Sequence, residues 1–169
     1  MRTGVELFRH AFAHEIVANH QMLKMLGSVP IENRADDRFT RAVRIAHHMA
    51  SCRQGFLHVI QGITNSLPDS FAENAEFEKL VEQFSEMESG WQEFLDGADD
   101  AKVDGRFVFS DNGENWSLSL EAQLFQLIGH AAYHRGQVVL LVDQIGGETF
   151  DTDYIEWFTS NFPDGWGPG

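Results

Sequence analysis

A chain of 169 residues with 43% hydrophobic side chains can build one domain around a substantial core. Lys and Arg number 12 against 26 Asp and Glu, and the resulting net charge of -14 repels phosphate backbones and anionic lipid, so neither nucleic acid nor membrane is an expected partner. The lone cysteine, Cys52, excludes an intrachain disulfide, the N-terminal MRTGVELFRHAFAHE lacks a signal-like apolar run, and no stretch approaches the roughly 20 apolar residues that span a bilayer, so a cytoplasmic location is expected.

The first predicted helix opens at TGVE, where Thr3 and Glu6 fit a capping box. At helical spacing Val5, Phe8, Phe12, Ile16, Leu23 and Leu26 share a face, and Gly27 and Pro30 close the element. The second helix runs from about Asp37 to Thr64 with an apolar band wide enough for more than one neighbour. NSLPDS breaks the chain. A second capping box, Ser70 to Glu73, predicts the start of the third helix, whose stripe includes Phe77, Leu80, Val81, Phe84, Met87, Trp91, Phe94 and Leu95.

Between the third and fourth helices, RFVF and NWSL flank SDNGE, and Asn-Gly between two β-prone runs predicts a hairpin. Ser119 caps the fourth helix, which ends at Gly146-Gly147 with Leu120, Leu124, Leu127, Ala131, Val138, Leu141, Val142 and Ile145 on one face. A short helix near Asp151 carries Tyr154, Ile155, Trp157 and Phe158, and the tail from about residue 160 is expected to be loosely ordered. These elements predict an all-α, single-domain protein over residues 1–169. Its architecture is a four-helix bundle with a crossover connection, for which the long stretch between the third and fourth helices leaves room.

Eight histidines must be placed. His10 and His14 have ligand spacing, but periodicity turns both toward water on the first helix. His20 falls at the edge of its stripe and His58 points outward. His130 and His134 lie on the fourth helix, His134 near the centre of the apolar stripe and His130 on its flank, with Gln137 continuing the line. Arg135 points to the other flank, where an ion pair with an acid on a neighbouring helix is the expected fate.

Two neutral imidazoles one turn apart can reach one cation, and they can equally be core histidines satisfied by hydrogen bonds; spacing alone leaves both open. A third ligand must come from another helix, and RIAHHMASC offers His47 and His48, with helical angles only slightly favouring His48. Cys52, one turn after His48, reads as a small buried thiol that could also approach a metal.

GHAAYHRGQVVLLVDQIGG, HHMASCRQGFL and FDTDYIEWF together resemble the DinB-like (DinB/YfiT) superfamily, a group of metal-binding proteins. The family's second-helix histidine is followed eight residues later by a bulky aromatic, matched by Phe56 after His48, which favours His48 over His47. The resemblance implies a bundle with a crossover and a divalent metal on His48, His130 and His134, nickel or zinc first, iron or manganese after. It implies a homodimer and a small-molecule substrate, with relatives that transfer or isomerise through low-molecular-weight thiols. The leading expectation is therefore a metal-dependent S-transferase, with a metal-dependent hydrolase or a non-catalytic metal or small-molecule binder as alternatives. Gln137, Cys52 and Trp116 are supporting candidates, the last as a roof carried by the hairpin.

Overall fold

The computed structural model describes residues 3–63, 65–111 and 113–165. Its elements in chain order are α1 (Gly4–Ser28), α2 (Asp37–Ile60), α3 (Phe77–Gly97), the one-turn α4 (Asp100–Val103), β1 (Arg106–Asp111), β2 (Glu114–Ser119), α5 (Leu120–Gln144) and α6 (Tyr154–Asn161), with 3-10 turns at Ile31–Asn33 and Pro163–Gly165. The predicted four-helix bundle is formed by α1, α2, α3 and α5. The second helix stops at Ile60, short of its predicted end at Thr64, a residue that lies outside the described ones. Of the tail expected to be loose from about residue 160, α6 takes in the first part and the Pro163–Gly165 turn follows; residues 166–169 lie outside the described ones.

Local chemistry sets the helix ends. Glu6 accepts from the Thr3 amide at 2.8 Å, as the capping box predicts. Asp36 caps α2 by accepting from Arg38 N at 2.8 Å, and Ser119 caps α5 by accepting from Ala122 N at 3.2 Å. Gly146, with φ 77°, takes the left-handed turn that ends α5.

Side-chain pairs along the helices give the topology. Arg9 reaches the Leu95 carbonyl and Asn19 reaches Glu88, so α1 and α3 are antiparallel. Phe8 packs on Phe125, Glu15 binds Arg135 and Ser28 meets Glu148, so α1 and α5 run parallel. His47 meets Gln83 and the Arg53 carbonyl accepts from Trp91 Nε1, so α2 and α3 are also parallel. Arg38 reaches Gln144 O and Arg53 reaches Leu127 O, which makes α2 and α5 antiparallel. The order is up, down, down, up, with α1 and α2 diagonal to each other. Gly90 permits the close α2–α3 approach, since a Cβ there would sit 2.9 Å from Leu57 Cδ2.

Two parallel helices in sequence require a return run. That run, described at residues 61–63 and 65–76, climbs back along α2, an element roughly 36 Å long at 1.5 Å per residue. The crossover is present as predicted, but it joins α2 to α3. The connection from α3 to α5 stays at one end of the bundle. This also explains why Ser70 does not cap a helix: α3 starts at Phe77 after Glu76, and Ser70 belongs to the crossover.

The hairpin forms with Arg106 opposite Ser119 and Asp111 opposite Glu114, a two-residue loop as Asn-Gly predicts. Asn112 itself lies outside the described residues, and Gly113 has φ 81°. The core is filled by Met22, Met25, Met49, Phe84, Met87, Trp91, Val138 and Val142 among others. Val81, predicted on the α3 stripe, is exposed, as are the outer-face α5 residues Phe125, Tyr133 and Leu140. No helix among the described residues is long and apolar enough to cross a membrane.

Candidate metal centre

His48 sits in the middle of α2, facing α5, where antiparallel packing brings His130 level with it. The two Nε2 atoms stand 3.2 Å apart. The His134 ring is 4.4 Å from that of His130 and 5.0 Å from that of His48, centre to centre. The structure thus brings together the three predicted imidazoles. His47, one residue from His48, faces α3 instead, where Nδ1 lies 3.1 Å from Gln83 Oε1 and Nε2 lies 2.9 Å from the Asp69 carbonyl. His47 is therefore not part of the cluster.

Each flanking hydrogen bond fixes which nitrogen is free. His48 Nδ1 lies 2.9 Å from the Ser70 carbonyl, which can only accept, so Nδ1 carries the proton and Nε2 presents its lone pair. His134 Nδ1 lies 2.9 Å from Gln137 Oε1, so its Nε2 is likewise left open. Gln137 orients a ring. Burial, reinforced by His134, His48 and Arg53, lowers His130 to about 4, which keeps this ring neutral at pH 7. Its Nδ1 is buried without a partner among the described residues.

The spacing of these nitrogens suits a cation. Two nitrogens bound at 2.0–2.1 Å with a tetrahedral angle would stand about 3.3 Å apart, against the 3.2 Å between His48 Nε2 and His130 Nε2. At that separation His130 Nε2–H can donate to His48 Nε2, and with the His130 proton on Nδ1 the two nitrogens can hold an ion between them; a neutral-imidazole donor set favours borderline divalent metals. Cys52 Sγ lies 3.6 Å from His48 Nε2. The donor atoms of His48, Cys52 and His130 all fall within 4.8 Å of one another and form a group that could hold a metal; His134 stands beside this tightest set. Burial pushes the Cys52 thiol up, only partly opposed by its hydrogen bond to Ser70.

A cavity of about 410 Å³ borders the cluster, with His48, His134, Arg41, Arg44 and Ile45 in its wall. Its roof is the crossover, through Ser70, Phe71 and Ala72. Phe71 is 79% exposed and lies over His48 with ring centres 5.0 Å apart. Trp116, the predicted roof, is 51% exposed on the hairpin. Trp116 is not among the described residues that line the cavity.

Two placements differ from the periodicity. Arg135, not His134, occupies the centre of the buried α5 face and is 2% exposed. Glu15, 1% exposed on parallel α1, accepts from Arg135 Nη2 at 2.6 Å and also from Arg53, which makes burial of the guanidinium tolerable. The expected ion pair of Arg135 is thus formed. His14, predicted to face water, is buried beneath α6, with Nε2 3.0 Å from the Thr152 carbonyl. His10 lies 2.7 Å from the Tyr154 hydroxyl. Periodicity could not show that a sixth helix covers that side of α1. His20 is exposed and pairs with Glu88 at 3.0 Å, and His58 meets Gln54 and the Ser66 carbonyl.

An up-down-down-up bundle with inward imidazoles between its second and last long helices defines a helical protein with a candidate metal centre. The chain belongs to the DinB family, whose model matches residues 1–163. No curated protein and no solved structure is similar enough to the chain to count as a match.

Proposed function

We propose that the chain is a divalent-metal-dependent enzyme acting on a small molecule, with transfer to or from the sulfur of a low-molecular-weight thiol as its reaction. The observation that carries this reading is the opposed His48 and His130 Nε2 pair, 3.2 Å apart beside an open cavity. His48, His130 and His134 would hold the ion, nickel or zinc ahead of iron or manganese, and Cys52 stands next to them. A bound ion would lower the pKa of a coordinated thiol and favour the nucleophilic thiolate near neutral pH.

The chain's own groups prepare that site. The Ser70 carbonyl and Gln137 hold two rings with their Nε2 lone pairs inward. Phe71 shields His48 from water on the cavity side. Burial raises the Cys52 pKa, which disfavours the thiolate at this position. Among the described residues that line the cavity there is no carboxylate to serve as a general base, which favours thiol activation over hydrolysis. A homodimer belongs to the same reading, supported by the exposed Phe125, Tyr133 and Leu140 on one face of α5; sedimentation of the wild type and a Tyr133→Glu variant tests it.

The deciding experiment is elemental analysis of protein purified without a metal-affinity tag, followed by thiol titration of the cobalt form. Stoichiometric metal and a thiol-induced spectral change are expected. Absence of metal would sink the enzyme reading, and metal that no physiological thiol perturbs would leave a hydrolase or a binding protein.

A further inference from the structure

In the wall of the cavity the charge of the chain is reversed. The whole molecule carries -14, yet the described residues of the lining include two arginines, two histidines and no acid. Arg41, Arg44, Ile45 and His48 follow one another at i, i+3, i+4 and i+7, so they share one face of α2. Arg41 and Arg44 are exposed and have no hydrogen-bond or ion-pair partner among the described residues. Arg9, Arg34, Arg38, Arg53, Arg106 and Arg135 each donate to a carbonyl, hydroxyl or carboxylate.

We infer that Arg41 and Arg44 receive the anionic end of the substrate, so the small molecule carries an oxyanion, a carboxylate or a phosphate. Along α2, Arg44 is about 6 Å and Arg41 about 10 Å from His48 at 1.5 Å per residue. The anionic group is therefore spaced by that distance from the atom that reacts at the imidazole cluster. A guanidinium presents a planar fork that matches carboxylate and phosphate oxygens, and a cavity with one sign of charge concentrates such ligands in spite of the negative total. Phe71 and Ile45 supply apolar walls for the intervening chain. This inference rests on the metal-site reading only for the reacting end.

The probes are 6-mercaptohexanoate, whose extended sulfur-to-carboxyl distance is roughly 7–8 Å, and the equally long but neutral 6-mercaptohexanol. Calorimetry at low salt, on metal-free and zinc-loaded protein, is expected to show the carboxylate bound about tenfold more tightly in both forms. The preference should shrink as salt rises. Arg41→Gln/Arg44→Gln should abolish it, with circular dichroism and zinc content unchanged, and each single variant should lose part of it. Equal binding of the two probes, or a preference that survives the double variant, would overturn the inference. If zinc fails to bind while the carboxylate preference persists in metal-free protein, the metal reading fails and this one stands. Hexyl phosphate against hexanoate then distinguishes the two oxyanions.

Discussion

Glu15 faces two guanidiniums, from Arg53 on α2 and Arg135 on α5, in a place where none of the three is more than 3% exposed. Burial raises its pKa, but Arg53 and Arg135 more than offset this, so the carboxyl stays ionised below its ordinary value. Glu15→Gln removes the negative charge and leaves two buried cations, and should cost about 3–5 kcal/mol in urea unfolding. A loss below about 1 kcal/mol would show that the network contributes little. Arg135 directly follows His134, so the pair also anchors the part of α5 that carries the cluster. At the cluster itself, His48→Ala, His130→Ala and His134→Ala should each abolish stoichiometric metal. Gln137→Ala should weaken metal binding about 10–100-fold by freeing the His134 ring. Cys52→Ser should change it by less than about tenfold, and a larger loss would make the thiol a ligand.

Among the elements, α6 gives a pH prediction. It covers α1 with Tyr154 and Trp157 against His14, whose ring centres are 5.5 and 5.6 Å away. Burial lowers the His14 pKa below 6.5, aided by Arg135 and opposed by the Thr152 carbonyl, Glu15 and Asp153. A lowered folded-state pKa means that the undocked state takes up a proton first as pH falls. The stabilisation is therefore complete above 6.5 and declines as pH drops through and below that value. The protection factors of residues 154–161, which compare exchange with the intrinsic amide rate at each pH, should fall from pH 7 to about pH 5, and His14→Leu should flatten that dependence. Unchanged protection factors in the wild type would refute it.

The same elements show what was legible in the sequence. The helices, the Asn-Gly hairpin, the Ser119 cap and the inward His130/His134 pair follow from local spacing, which reports how a segment meets a core. Spacing does not report direction or neighbours. The long stretch before the fourth helix therefore suggests the crossover in the wrong connection, the capping-box motif suggests Ser70 as a cap, and periodicity turns His14 toward solvent. Periodicity also sets Arg135 on a flank, because only a carboxylate on a distant helix makes its burial tolerable. His48 over His47 rests on a slight angular preference and on a resemblance; His48 is the one whose Nε2 lies 3.2 Å from that of His130.

For the whole molecule, a metal that binds the folded chain alone shifts the unfolding equilibrium. Zinc at about 100 times its dissociation constant adds about 2.7 kcal/mol, or roughly 5–10 °C in Tm for a chain of this size. Differential scanning calorimetry should show that rise in the wild type and none in His130→Ala; equal curves would mean that zinc does not select the folded site.

The crossover turns backbone length into a tuning parameter. The Asp69 and Ser70 carbonyls receive hydrogen bonds from His47 and His48, so the run is tethered part-way along its climb between two fixed helix ends. Deleting one residue from 65–69 would pull the Ser70 carbonyl away from His48 Nδ1 and let that ring turn. The same deletion in the hairpin loop would be absorbed at the end of the bundle. Two loops of one protein thus differ in tolerance: the hairpin can drift in length, while the crossover acts as a ruler for an imidazole.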